Sequence, residues 1–124
     1  MAAGSVVITE ETVGSVKKVS FAWTSGTDAE AGTAGDTTDY TYNGVLERLV
    51  TVPDGTAAPS DDYDVVVNDA DGTDVLMGAG ADRDTADTEQ VLASSLGCVA
   101  NDKLTLAITN AGAAKEGVVN LYIR

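Results

Sequence analysis

Residues 68–76 read NDADGTDVL and set three carboxylates, Asp69, Asp71 and Asp74, around Gly72. Closely spaced carboxylates beside a glycine are what a hard cation such as calcium uses. An EF-hand loop takes ligands at positions 1, 3 and 5, glycine at 6 and glutamate at 12. With Gly72 at position 6, Asp69 and Asp71 fall on positions 3 and 5. Position 1 is then Val67 and position 12 is Gly78, and neither side chain can ligate. The reading that fits better is a turn, with Asp early and Gly supplying the left-handed residue. Asp69, Asp71 and Asp74 stand as candidates for a weak calcium site only, and no cofactor is expected.

Other acidic and glycine-rich stretches carry less. MGAGADRD shares features with the calcium β-roll repeat. It lacks the first glycine, has Asp84 at an apolar position and does not recur nine residues later. One imperfect copy cannot stack. No Gly-Lys-Ser/Thr follows the glycines, so they form no phosphate loop. The pairs Asp61 with Asp62, Asp69 with Asp71 and Asp82 with Asp84 could in principle serve a glycosidase. They lie in loops with no aromatic side chain alongside to stack a sugar, and read as solvated surface.

The chain has no histidine, which removes Ser-His-Asp and Cys-His catalysis and histidine metal sites. Cys98 is the single cysteine, so there is no intrachain disulfide. Its neighbours in LGCVA are small and apolar, and predict a buried, inert thiol. No catalytic residue is expected, and the protein is not read as an enzyme.

The elements that must position these residues are strands. In KKVSFAW, Val19, Phe21 and Trp23 share one face, which predicts that Trp23 packs in the core. Leu104, Leu106 and Ile108 alternate in KLTLAIT, as do Val119, Leu121 and Ile123 in GVVNLYIR. Period two marks half-buried antiparallel strands. SVVITEET, Ser5 to Thr12, is a first strand that turns at Gly14, so that Lys17 and Lys18 face Glu10 and Glu11 as cross-strand ion pairs. Asn43-Gly44 between apolar runs predicts a hairpin; a single strand bent at Gly44 is the rival. DYDVVV and DVLM are further strands either side of the aspartate turn. Residues 87–97 read as extended, with a short helix capped by Asp87 as the alternative. The fold expected is all-β: an antiparallel sandwich of jelly-roll or immunoglobulin-like type, one domain over residues 1–124 with a short flexible N-terminus at 1–4. The polar loops Ser25 to Asp36 and Gly78 to Asp87 are expected to be exposed and mobile.

Composition bounds the partners. The chain has 124 residues, 44% hydrophobic but only 5% aromatic, so the core rests on aliphatic side chains. Twenty acidic residues against seven basic give a net charge of -13, which repels nucleic acid and anionic membranes. The first residues have no basic start or apolar run of a signal peptide, and no stretch approaches the ~20 apolar residues of a membrane helix. Synthesis and solubility in a cytoplasm are expected.

Four stretches carry a resemblance: GSVKKVSFAWTS, YNGVLERLVTVPDG, PSDDYDVVVNDADGTDVLMGAG and LTLAITNAGAAKEGVVNLYIR. Together they cover most of the chain, which resembles small virion structural proteins of tailed bacteriophages, including proteins that decorate the head. The resemblance implies a β-sandwich, assembly rather than catalysis, and a place on the virion after synthesis in the host cytoplasm. It implies as partners the major capsid protein or other virion proteins, and a homo-oligomer, with a trimer as first guess. Neck or tail positions, and a free-standing carbohydrate- or calcium-binding module, are the alternatives. Contacts are expected from the N-terminal residues and the two polar loops: Met1, Gly4, Asp28, Gly32, Asp36, Gly80, Asp82 and Asp84.

Overall fold

The computed structural model describes residues 3–124, and Met1 lies outside them. Among these residues the chain is all-β and antiparallel, folded as a small β-sandwich of two sheets. The strands are β1 (Ser5–Val13), β2 (Val16–Thr24), β3 (Ala34–Thr37), β4 (Tyr42–Pro53), β5 (Asp64–Asn68), β6 (Glu89–Leu92), β7 (Cys98–Asp102), β8 (Thr105–Thr109) and β9 (Glu116–Ile123). The larger sheet has six strands in the order β1-β2-β9-β4-β6, with β7 pairing β4 beside β6. The smaller sheet is β3-β8-β5.

Alternation decides what each strand buries. Val19, Phe21 and Trp23 of β2 and Val119, Leu121 and Ile123 of β9 are almost fully buried. Leu106 and Ile108 of β8, Leu104 just before it, and Val65 and Val67 of β5 meet them in one cluster. Trp23 lies in this core as expected, its ring 5.6 Å from that of Tyr63. Gly117 is the residue that makes room, since a Cβ there would press on the indole.

Asn43-Gly44 is not a hairpin. β4 runs continuously through both residues, with a register shift against β7 between Tyr42 and Asn43. Gly44 has φ +131, and a Cβ there would overlap the Arg124 carbonyl oxygen. The glycine is used for close approach of two backbones, not for a turn. Further on, Leu46 pairs Ile123 while Arg48 pairs Tyr122, so Glu47 is bulged out. That bulge lets Leu46 and Leu49, three positions apart, both face the core.

DVLM is not a strand either. Only the bridge Asn68↔Asp74 continues the pairing after the aspartate turn. Val75 and Leu76 are both buried, which strand alternation forbids and a run of turns allows. Residues 87–97 are extended, as β6 followed by the 3-10 turn Ala93–Ser95.

Candidate functional site

The aspartate turn exists as expected. Gly72 has φ +81, its N–H donates to the Asp69 carbonyl at 3.1 Å, and Asp69 N–H donates to the Thr73 carbonyl at 3.0 Å. Its three carboxylates separate in role. Asp69 Oδ1 accepts from Asp71 N–H at 2.9 Å and Thr73 N–H at 3.0 Å. Asp74 Oδ1 accepts from Val67 and Leu76 N–H, and its Oδ2 from Gly78 N–H at 2.9 Å. Asp74 is therefore committed to bracing the chain reversal and does not join a ligand set.

In its place the fold brings Asp102, from the end of β7. Carboxylate oxygens of Asp69, Asp71 and Asp102 lie within 4.8 Å of one another. Three oxygen donors can meet a hard cation. Calcium takes six to eight, and one Asp69 oxygen is already shared by two N–H groups. Asp102 carries no local signal that the sequence could have shown, being brought in by β7 pairing with β4.

Other carboxylates do similar work. Asp54 accepts from Thr56 and Ala57 N–H, and Asp84 from Ala86 and Asp87 N–H. These backbone bonds hold both carboxyls below the usual range. Asp62 is pushed the other way, first by Asp61 and then by partial desolvation, Asp82, Asp64 and Asp84. Asp61 also accepts from Thr85 N–H at 3.3 Å. Two of the acidic pairs of the sequence, Asp61 with Asp62 and Asp82 with Asp84, thus form a mutually repelling patch braced by backbone bonds.

The loops expected to make contacts are more built than their composition implies. Ser25 is buried, its hydroxyl donating to the Gly112 carbonyl and accepting from Lys115 N–H at 2.8 Å. Gly32 and Gly80 are buried, which removes both as contact residues. Gly32 lies against the backbone at Ala111 and Gly112, and Gly80 accepts from Val65 N–H at 2.8 Å. Asp28, Asp36 and Asp82 are exposed and Asp84 is half-buried. Gly4 packs on the Thr33–Ala34 backbone.

Cys98 is exposed, not buried. β7 turns Val99 inward, so its neighbour must face out. Glu11 lies opposite Lys18 in the hairpin, but the Lys18 ammonium sits over the Tyr122 ring, 5.7 Å from its centre. Arg48 stacks on the same ring at 4.4 Å. Lys17 Nζ donates to the Asn43 carbonyl at 2.7 Å.

Glu10 is drawn elsewhere. It accepts from the Tyr42 hydroxyl at 2.6 Å and from Asp39 and Tyr40 N–H at 3.2 and 3.3 Å. Beside it a groove of about 340 Å³ opens between the β1–β2 hairpin and residues 40–43, with the exposed ring of Tyr40 on its wall. Sequence reading missed this groove, because it joins residues about thirty positions apart.

The outer face of the larger sheet carries three rows of side chains, with Val50, Asn120, Ser20 and Thr9 in the middle one. Strand registers set Leu92, Arg48, Tyr122, Lys18 and Glu11 in one row across it, and Val52, Val118, Ala22 and Val7 in another. No helix among the described residues is long and apolar enough to cross a membrane. No family model, curated protein or solved structure matches the chain.

Proposed function

We propose that the chain is a structural subunit of a tailed-phage virion, most simply a decoration protein that sits outside the head shell as a homo-oligomer and stabilises it. One observation carries this reading: the outer face of the larger sheet, where an apolar row and a row of stacked cations lie on either side of the row Val50, Asn120, Ser20 and Thr9. An apolar row across a sheet face suits a protein contact, and the Arg48 and Lys18 cations over Tyr122 give it a polar border. The clustered carboxylates are largely engaged in bracing turns. The resemblance of the four sequence stretches to virion proteins points the same way, and a charge of -13 suits an exterior position away from packaged DNA.

The test uses shells that lack the protein. Added protein should bind them, bury an interface of around 1,600 Å² and raise their melting temperature. Arg48→Glu on the outer face should weaken that binding. The Tyr40 groove favours a second reading, a small free-standing glycan binder. Glycan binding without shell binding would replace the first reading with the second.

A further inference from the structure

The sheet edges are finished in different ways. β5 is sealed by the segment that follows it: Val65 N–H donates to the Gly80 carbonyl, Val75 N–H to Val67 and Arg83 N–H to Tyr63, at 2.7–2.8 Å. β3 and β6 are four residues each, too short to template a long partner. β1 is nine residues long and pairs β2 in unbroken register from Ser5 to Val13, with no strand beyond it among the described residues. It has no proline, lysine, arginine or bulge; its only charges are Glu10, turned inward to Tyr42, and Glu11. Val7 and Val13 stand 69% and 71% exposed on it. Alternate N–H and C=O groups of such a strand point away from its one neighbour. Among the described residues no loop backbone takes them up.

We infer that β1 is where a second copy of this chain adds its own β1, antiparallel, about a two-fold axis at Thr9. The strand matches itself. Pairing about Thr9 sets Ser5 opposite Val13, Val6 opposite Thr12, Val7 opposite Glu11 and Ile8 opposite Glu10. No glutamate then faces a glutamate directly, and two threonines meet on the axis, a favourable cross-strand pair. Glu10 keeps its bond to Tyr42 within each copy. The two larger sheets become one continuous sheet with a doubled outer face. The contact is isologous, so a three-fold ring does not contain it. The inference rests on the assembly reading for its purpose, and on the edge alone for its geometry.

Sedimentation over a concentration series in 0.15 M salt should give twice the 12.6 kDa chain mass. Because each copy carries -13, added salt should tighten the pair. Thr9→Lys places like charges on the axis and should raise the dissociation constant roughly fivefold or more, with circular dichroism unchanged. Should that variant misfold, cysteine pairs answer instead. In a Cys98→Ser background, Thr9→Cys should oxidise to a covalent dimer and Thr12→Cys, which faces Val6, should not. A monomer up to about 1 mM, a trimer indifferent to Thr9→Lys, or equal cross-linking at both positions would overturn the inference. A β1-paired dimer that ignores empty shells keeps the inference and removes the virion reading; a monomer that binds shells does the reverse.

Discussion

The Tyr42 hydroxyl donates to Glu10 Oε1 at 2.6 Å, joining the first strand to the fourth, while the Tyr63 hydroxyl, deeper in the core, meets no well-formed hydrogen-bond partner among the described residues. The same substitution should therefore have opposite signs at the two positions. Tyr42→Phe removes a hydrogen bond to a charged group and should cost about 1.5 kcal/mol. Tyr63→Phe removes a hydroxyl that burial penalises, with only the Thr51 hydroxyl nearby to offset it, and should add about 1 kcal/mol. Urea unfolding at pH 7 measures both. A destabilised Tyr63→Phe would show that its hydroxyl is satisfied.

Tyr42 also sets an alkaline limit. An unfolded tyrosine loses its proton near pH 10. Burial first, and then the Glu10 carboxylate, hold the folded group higher. The folded state keeps a proton that the unfolded chain releases, so this stability is full below about pH 10 and is lost as pH rises through the folded value. The gap between wild type and Tyr42→Phe should narrow above about pH 10.

Two glycines separate conformation from contact. Gly72 has φ +81 with open space around it, so Gly72→Ala should cost only about 1 kcal/mol. Gly44 combines φ +131 with the Arg124 carbonyl where a Cβ would sit. Gly44→Ala should cost about 3 kcal/mol or more, because backbone must move. Equal unfolding midpoints for the two variants would refute the close-approach role of Gly44.

Asp74 should matter more to folding than any of the three aspartates of the carboxylate cluster beside it. Asp74→Ala strands three N–H groups and should cost about 2 kcal/mol, with or without calcium. Calcium itself should not be required for the fold. A tight site would add roughly 2.7 kcal/mol at a hundredfold excess of ion over the dissociation constant. Wild-type melting in chelator and in millimolar calcium should coincide; a rise of several degrees with calcium, abolished by Asp102→Asn, would establish the site.

The acidic patch predicts a pH signature. Asp62 is held above its ordinary value, first by Asp61, so its charge opposes folding at neutral pH and stops doing so as pH falls. Asp62→Asn should raise the melting temperature at pH 7 in low salt, and the gain should fade below about pH 4 and in high salt. Asp54 and Asp84 act in the opposite sense. Their values are depressed, so their support is present above about pH 4 and is lost as pH falls further. Melting curves of Asp62→Asn at pH 7 and pH 3.5 check the sign; an equal gain at both would point to its backbone conformation, φ +63, instead.

The sandwich was legible in the sequence because period two is a direct imprint of a half-buried strand. Val19, Phe21 and Trp23, or Leu121 and Ile123, could face only one way. What the sequence hid was set by distant partners. Asn43-Gly44 has the local chemistry of a hairpin, but pairing with β7 and β9 outweighs it and spends the glycine on the Arg124 backbone. Cys98 was misjudged from its apolar neighbours, although alternation with Val99 already turned it outward. Asp69, Asp71 and Asp74 look alike in the string. Which of them braces a turn and which meets Asp102 depends on backbone geometry that no spacing rule carries.

The central place of β9 shapes how the molecule comes to exist. It lies between β2 and β4, and Ser20 bonds Asn120 one hundred residues away. The β1–β2 hairpin can form early, since its partners adjoin in the chain. Docking β9 must first overcome the closure entropy of a very long loop. Folding therefore belongs to the slow class of non-local β topologies, milliseconds to seconds. During that interval the hairpin shows two open edges, not one, and the chain is at its most exposed to premature self-association.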